Sequence, residues 1–267
     1  MKKIINFESI WRRGLKSIGK YYQWLFWQQR NFPTSKMKKM QTLYGQFVKP
    51  GNLCFDIGAN MGSRVATFLL LKARVIALEP QQKCVHELKK VFAKYDVTVV
   101  PKGVGSRNEV KEFFLADDPL VSSFNQEWIK GMKDTYLQKK KWDTSEKIEI
   151  VTLDMLMKEY GVPDFIKIDT EGFELEVIRG LSTPVKALSF EYTLPHLKEQ
   201  VMSCVDLLDQ LYKKTARFNI CRDESYAMKF NEWMDAEKLK NILKSEEFNK
   251  NNYGIYGDIY VTTNSLT

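Results

Sequence analysis

The stretch FDIGANMG, residues 55–62, places two glycines in a short polar loop between two apolar segments. NLCF, just before the loop, has the composition of a buried strand, and SRVATFLLLKA, after it, has that of a helix. A strand, a glycine-rich turn and a helix in this order are typical of α/β proteins that hold a nucleotide-like ligand at the end of the strand. The loop therefore predicts both a fold class and a ligand site.

The alternation of apolar strands and helices continues along the chain, which predicts a parallel sheet covered by helices on both faces. Further strands are expected in RVIALEP, VTVVPKGVG, PDFIKID and VKALSFEY, and RFNICRD and GDIYVTTN are expected to close the sheet as an antiparallel pair. Residues 107–150 interrupt the pattern. There EVKEFFLA and KIEIVTLD flank a polar, aromatic insertion, which either covers the ligand or extends into solvent.

The composition is that of a globular protein large enough to bury a core without disulfides. The chain has 267 residues, of which 44% are hydrophobic and 28% charged. Its four cysteines form no CxxC pair and no Cys/His cluster, so we expect reduced thiols and no structural zinc site. Charged residues interrupt the N-terminal apolar stretch, and no apolar run approaches the roughly 18 residues of a membrane span. These features predict a cytoplasmic protein.

The positive charge is concentrated at the N-terminus, where residues 1–50 contain eleven Lys and Arg but one acid. Residues 3–30 carry apolar side chains at helical spacing, with basic residues mostly beside that stripe, which indicates a basic amphipathic helix. Its apolar face could pack on the protein itself, on a second subunit or peripherally on the inner face of a membrane. We expect residues 1–45 to form a helical extension and residues 46–267 to form the ligand-binding domain.

The glycine loop lacks the G-x-G-x-x-G pattern of dinucleotide-binding proteins, because Asn60 and Ser63 occupy the second and third glycine positions. Asp56, at the end of the strand, would repel a pyrophosphate but suits a cationic ligand without phosphate. S-adenosylmethionine has these properties. Glu79 ends the next strand, 21 residues after Gly58, where a carboxylate can accept hydrogen bonds from both ribose hydroxyls. A turn-capping role for Asp56 and a helix-terminal role for Glu79 are the alternatives.

The segments FDIGANMG, ALEP, VGS, VTLDML and PDFIKIDTEGFELEVIRG resemble those of FkbM-type S-adenosylmethionine-dependent methyltransferases, over about residues 45–195. The resemblance implies an α/β fold with a doubly wound, mostly parallel seven-stranded, Rossmann-like sheet. It also implies O-methylation of a saccharide or another small hydroxylated acceptor. It places three groups of residues around the cofactor: Asp56, Gly58, Ala59, Asn60 and Gly62 at the methionine portion, Glu79 and Pro80 at the ribose, and Val104 and Ser106 at the adenine.

Chemistry is expected after PDFIKID, because ligands bind at the carboxyl ends of parallel strands. The DTEG that follows differs from the Asn/Asp-Pro-Pro-aromatic motif of enzymes that methylate the amines of nucleic-acid bases. Transfer to a hydroxyl releases a proton, so a general base helps. The candidates are Asp169, which would also contact the cofactor, Glu171, Glu191 at the end of the fifth strand, and His196. The carboxylates could alternatively bind Mg²⁺, although we predict no metal site, and Glu174 is assigned only to the first turn of a helix.

Three other functions are less well supported by these residues. An NAD-dependent Rossmann enzyme is disfavoured by Asp56 and by the incomplete glycine pattern. A nucleic-acid-binding protein that uses the basic arm is disfavoured because the basic residues share their helix with an apolar stripe, and no aromatic RNA-binding motif is present. A non-catalytic scaffold has no reason to retain Asp56, Gly58, Gly62 and Glu79 together. We therefore expect a small-molecule or glycan acceptor and no nucleic-acid partner.

Overall fold

The computed structural model describes residues 34–133, 137–223, 225–246, 248 and 255–263. The amphipathic helix expected at residues 3–30 lies outside these ranges. None of the helices found within them has the length and apolar composition needed to cross a membrane.

Four helices begin after a side chain that accepts hydrogen bonds from their free backbone donors, out of eight helices within the described residues. They are α1 Ser35–Tyr44, α2 Ser63–Leu70, α3 Gln82–Val91, α4 Gln126–Met132, α5 Leu153–Tyr160, α6 Glu174–Arg179, α7 Lys198–Leu211 and α8 Ala236–Lys244, with a 3-10 turn at Pro119–Val121. Thr34, Thr152 and Asp235 accept hydrogen bonds from backbone amides in the first turns of α1, α5 and α8.

The described residues form ten strands, seven of which make up one large sheet. The strands are β1 Leu53–Ile57, β2 Arg74–Leu78, β3 Val97–Val100, β4 Gly103–Val104, β5 Glu109–Leu115, β6 Thr144–Val151, β7 Phe165–Ile168, β8 Ala187–Leu194, β9 Arg217–Arg222 and β10 Ile255–Thr262. The large sheet has the order β3-β2-β1-β7-β8-β10-β9, and only β10 pairs antiparallel with its neighbours. The doubly wound, mostly parallel seven-stranded sheet and its antiparallel closing pair are therefore confirmed. The winding reverses between β1 and β7, where a ligand crevice is expected.

The expected third strand, VTVVPKGVG, is divided into two. Val97–Val100 joins the large sheet, whereas Gly103–Val104 joins a small sheet of order β4-β6-β5. Pro101 lies between them, and proline has no N–H to donate to a strand ladder. The chain therefore leaves the large sheet at this point, and the small sheet supports the insertion that connects β5 and β6.

The strands of the large sheet separate two hydrophobic cores. In β1, Phe55 and Ile57 belong to one core and Cys54 to the other, as the alternation of side chains along a strand requires. In the second core, the ring centroid of Tyr44 from α1 lies 5.7 Å from that of Phe165 in β7. Helix α1 thus packs on the sheet although it falls within the predicted extension. The division at residue 45 stays a prediction.

Candidate active site

A cavity of about 390 Å³ opens at the carboxyl ends of the central strands. Its size lies within the roughly 300–1,000 Å³ of small-molecule sites. It brings together most of the residues singled out in the sequence, namely Asp56, Gly58, Ala59, Asn60, Glu79, Pro80, Val104, Asp169, Glu171, Glu191 and His196. Gly62 and Ser106 do not line it.

Gly58 lets two loops of the cavity approach closely. Its φ is +83°, and a Cβ placed on it would lie 1.9 Å from the backbone oxygen of Asp169. A side chain would therefore meet backbone that cannot rotate away, in a conformation that L-residues rarely adopt. Glycine at this position is what lets the β1 loop lie directly against the loop after β7.

Gly62 and Ser106 make structural contacts, and their expected cofactor contacts stay predictions. Gly62 has a φ of +82°, and a Cβ there would lie 2.5 Å from the ring of Phe92, so glycine allows the start of α2 to pack beside α3. The hydroxyl of Ser106 donates to Glu176 in α6 at 2.7 Å. The resemblance alone does not reveal these contacts, because both depend on helices distant in the sequence.

The carboxylate of Glu79 joins the two loops that follow β1 and β2. Its Oε2 accepts the backbone N–H of Asn60 at 2.8 Å, and its Oε1 accepts that of Gln81 at 2.8 Å. Burial raises the pKa of Glu79 to about 7, although these two hydrogen bonds act to lower it. Each oxygen retains a second lone pair, so the same carboxylate can also accept hydrogen bonds from a ribose diol.

Two buried acceptor atoms at the β1 end of the cavity have no hydrogen-bond donor among the described residues. They are Oδ2 of Asp56 and Oδ1 of Asn60. Burial raises the pKa of Asp56 to about 7, with Arg64 acting in the opposite direction. Buried acceptors without partners are costly, and a ligand that brings donors would satisfy them. The ammonium group and ribose hydroxyls of S-adenosylmethionine fit this requirement.

The described part of the insertion between β5 and β6 covers the cavity and does not extend away into solvent. The backbone oxygen of Pro119 accepts hydrogen bonds from the side-chain amides of Asn60 at 3.0 Å and Gln81 at 2.9 Å. Ser122 also donates to Gln81, at 3.2 Å. The 3-10 turn is thus attached to both loops that Glu79 joins.

Three carboxyl groups converge on the cavity. Asp169, Glu171 and Glu191 each bring one oxygen within 4.8 Å of the others. Glu191 reaches this point from the middle of β8 and not from its end as expected. Burial, followed by repulsion from Asp169, raises the pKa of both Glu171 and Glu191 well above the ordinary range. Burial and repulsion therefore favour the protonated form of these two groups, and Mg²⁺ binding stays an alternative.

Asp169 differs from its two neighbours because it lies beside two cations. Its Oδ2 is 3.4 Å from Nζ of Lys167 and 3.6 Å from a guanidinium nitrogen of Arg64. Burial alone would raise its pKa, but Lys167 and then Arg64 outweigh burial and hold it below the ordinary value. Asp169 is also hydrogen-bonded to Glu191, which requires one proton between the two groups. Since the pKa of Glu191 is the raised one, Glu191 is the donor.

Residues that were not predicted to belong to the site fix the loop that carries Asp169 and Glu171. Oε1 of Glu174 accepts the backbone N–H and the hydroxyl of Thr170, at 2.8 and 3.0 Å. The hydroxyl of Ser123 donates to the backbone oxygen of Glu171 at 2.7 Å. Glu171 itself has a φ of +52°, a strained conformation that surrounding contacts must maintain. The position of Glu174, two residues after the stretch TEG, was a possible signal in the sequence for its role in fixing this loop. The contact of Ser123 with Glu171 joins residues 48 positions apart, so the sequence alone does not predict it.

The far wall of the cavity combines an imidazole with aromatic and apolar side chains from the insertion. Trp128 of α4 lines the cavity and is 2% exposed, and its Nε1 has no partner among the described residues. His196 lies against the same helix, since a Cβ on Gly131 would be 3.2 Å from its Nδ1. The indole of Trp128 offers an apolar face and an N–H donor without a partner among the described residues. This combination suits the recognition of a polar acceptor.

Comparison with known proteins places this cavity in a functional context. A family model described as the methyltransferase FkbM domain matches residues 56–228. The chain is 23% identical over 179 residues to the hexuronic acid methyltransferase AglP of Haloferax volcanii. The aligned region covers 66% of this chain and 70% of that protein.

Two solved structures illustrate the structural similarity. A precorrin-6y C5,15-methyltransferase from Geobacter metallireducens has a TM-score of 0.43 at 9% identity, covering 84% of this chain and 88% of that one. A SAM-dependent O-methyltransferase from Thermotoga maritima has a TM-score of 0.38 at 9% identity, covering 90% and 71%.

Proposed function

The chain belongs to the FkbM methyltransferase family, and we propose that it transfers the methyl group of S-adenosylmethionine to an oxygen of a saccharide. The chain is an S-adenosylmethionine-dependent methyltransferase, which confirms the prediction made from the resemblance in the sequence. The acceptor and the residues that act on it are the proposed part. The observation that supports them is a single cavity lined by Asp56, Glu79, Asp169 and Glu191.

The part of the cavity lined by Asp56 and Glu79 is proposed to hold the cofactor. Asp56 and Asn60 each offer a buried oxygen without a donor, which suits the ammonium of the methionine portion. Glu79 offers two oxygens to the ribose, with Pro80 beside it, while Ala59 and Val104 supply apolar lining. When bound, the cofactor supplies an electrophilic methyl group on its sulfonium.

Asp169 is proposed as the general base in the part of the cavity that would hold the acceptor. It is the carboxyl of the cluster whose pKa lies below the ordinary range, so it is ionised at neutral pH. An acceptor hydroxyl beside that carboxylate would lose its proton to it as the new C–O bond forms. Burial and repulsion favour the protonated forms of Glu171 and Glu191, so both can donate hydrogen bonds that orient the acceptor. His196 is proposed to contact the acceptor from the other wall.

A saccharide is the proposed acceptor because the relative AglP is a hexuronic acid methyltransferase and because the acceptor end offers carboxyl groups and an indole donor. Carboxyl groups and aromatic side chains together suit the hydroxyls and the apolar faces of a sugar ring.

The test has two stages. Calorimetry should show binding of S-adenosylhomocysteine and no binding of NADH. Methyl transfer from labelled S-adenosylmethionine is then measured on methyl glycosides of hexuronic acids, on the matching neutral hexosides and on nucleosides. Transfer to at least one glycoside and to no nucleoside is expected. Binding of NADH alone would contradict the cofactor assignment, and transfer only to nucleosides would contradict the acceptor.

We also propose a cytoplasmic location, supported by the four cysteines, all of which are free and buried. Contact of residues 3–30 with a membrane stays a prediction, as does the absence of a nucleic-acid partner. Removal of residues 1–32 and comparison of sedimentation with anionic lipid vesicles tests the first, and unchanged sedimentation would contradict it.

A further inference from the structure

Lys167 is a buried cation in the middle of the large sheet. Its side chain is 0% exposed, and Nζ lies 2.5 Å from Oδ1 of Asp258, 3.4 Å from Oδ2 of Asp169 and 3.2 Å from the backbone oxygen of Ile168. A buried ammonium must be paired, because its desolvation is otherwise prohibitive. Two of these partners, Ile168 and Asp169, lie at the carboxyl end of β7, and the third, Asp258, lies in β10.

The strand registers explain how the lysine reaches two carboxylates. Lys167 is directly opposite Asp56 in β1 and Ser189 in β8, and Ser189 is opposite Tyr260 in β10. Neighbours opposite each other in a sheet share a face. Two residues farther along lie Asp169, directly after β7, Glu191 in β8 and, in the antiparallel strand β10, Asp258. The sheet thus carries a row of titratable groups that ends in the cavity.

Other charges surround Asp169 on every side and would compete for its proton. From the helix side Arg64 adds a second cation. Against it stand the carboxyls of Asp56, Glu171, Glu174 and Glu191, each of which interacts electrostatically with Asp169. Of the two cations, Lys167 lowers the pKa of Asp169 more strongly, through its charge and through a hydrogen bond. Lys167 is the nearer one, and Asp258 fixes its position.

We propose that Lys167, anchored by Asp258, is a positioning residue that orients the Asp169 carboxylate and makes it the charged member of the three-carboxyl cluster. The inference deepens the proposed function, because it explains how one of three adjacent acids becomes the base. Buried ion pairs are poor sources of net stability, which leaves the placement of charge as the reason for this one. Its position also agrees with the rule that acid and base roles arise where environments separate the pKa values of neighbouring groups.

The experiment reads Asp169 directly and needs no acceptor. Protein labelled with ¹³C at aspartate is titrated by NMR, and the Asp169→Asn variant assigns the signal. In Lys167→Met we expect the Asp169 midpoint to rise by about one pH unit or more, a ten-fold change in proton affinity. Lys214→Met is the matched control, since it removes a lysine from a surface pair with Asp209, and there the Asp169 midpoint should stay unchanged.

The double variant Lys167→Met/Asp258→Asn separates positioning from folding. Removing both partners avoids the unpaired buried carboxylate that Lys167→Met leaves, so the unfolding temperature should recover toward wild type. The Asp169 midpoint should nevertheless remain raised, because the cation is still absent. An unchanged midpoint in either folded variant would overturn the proposal. The proposal would also be overturned if neither Lys167→Met nor the double variant folded, because the pair of Lys167 and Asp258 would then be required for folding.

Failure of the proposed function would look different. It would appear as wild-type protein that neither binds S-adenosylhomocysteine nor transfers methyl groups, while the NMR titration would still report on Lys167 and Asp169.

Discussion

Replacement of Gly58 by alanine should damage both stability and cofactor binding, whereas Gly51→Ala should damage neither strongly. The two glycines have nearly the same φ, +83° and +84°. A Cβ on Gly58 would lie 1.9 Å from the backbone oxygen of Asp169, but a Cβ on Gly51 would have nothing within 4 Å. The pair therefore separates the effect of the backbone conformation from that of the close contact.

The magnitude follows from these two terms. A non-glycine residue in the left-handed region costs about 1–2 kcal/mol, and this term is shared. At Gly58 the backbone of Asp169 must also move by more than an ångström, which adds about 1–3 kcal/mol as in an overpacked core. At roughly 2–4 °C per kcal/mol for a domain of this size, Gly58→Ala should unfold about 4–20 °C below wild type, and Gly51→Ala about 2–8 °C below.

Thermal unfolding followed by circular dichroism measures the first effect, and calorimetric titration with S-adenosylhomocysteine measures the second. Gly58→Ala should weaken binding by at least about ten-fold, because the loop holding Asp56 must separate from the loop holding Asp169. Gly51→Ala should bind as wild type does. Equal temperature losses in the two variants, or wild-type affinity in Gly58→Ala, would refute the close approach of the two loops.

Four further outcomes are expected. Burial raises the pKa values of Asp56 and Glu79 to about 7, so affinity for S-adenosylhomocysteine should rise about ten-fold from pH 6 to 8 as both ionise; a flat profile in calorimetry would contradict this. Because these pKa values exceed those of the unfolded chain, the stability that the two groups contribute is complete below about pH 4 and lost as the pH rises through 7, so the melting temperature without ligand should be lowered by these groups over that range. Asp169→Asn should reduce kcat more than Glu79→Gln, which should mainly raise the dissociation constant; the reverse order would exchange their proposed roles. Gln81→Ala removes one donor to Pro119, worth about 1 kcal/mol, and should weaken cofactor binding about five-fold in the same titration.

The fold and the cofactor end of the cavity follow from local patterns. The strand-loop-helix unit at residues 53–70 and the acid after β2 are short-range features, and parallel strands bring their carboxyl ends to one edge without further information. Asp56, Glu79 and Asp169 therefore line the cavity as the sequence indicates.

The remaining site residues depend on long-range pairing that a single sequence does not specify. Lys167 and Asp258 are 91 positions apart, and their contact requires β10 to enter the sheet beside β8. The contact between Ser106 and Glu176 likewise depends on where α6 packs. A lysine inside the apolar strand FIKI was a signal in itself, since lysine is seldom fully buried without a partner, but the partner could not be read from it.

The order of the strands also has a consequence for protein synthesis. β10 is made after β9 yet lies between β8 and β9 in the finished sheet. A nascent chain that has emerged only as far as residue 222 therefore has no neighbour for β9 to pair with, and Lys167 has no Asp258 to hold it. If Lys167 and Asp258 act as proposed, a ribosome-bound or truncated chain lacking β10 should be inactive even when its cofactor loop is already formed.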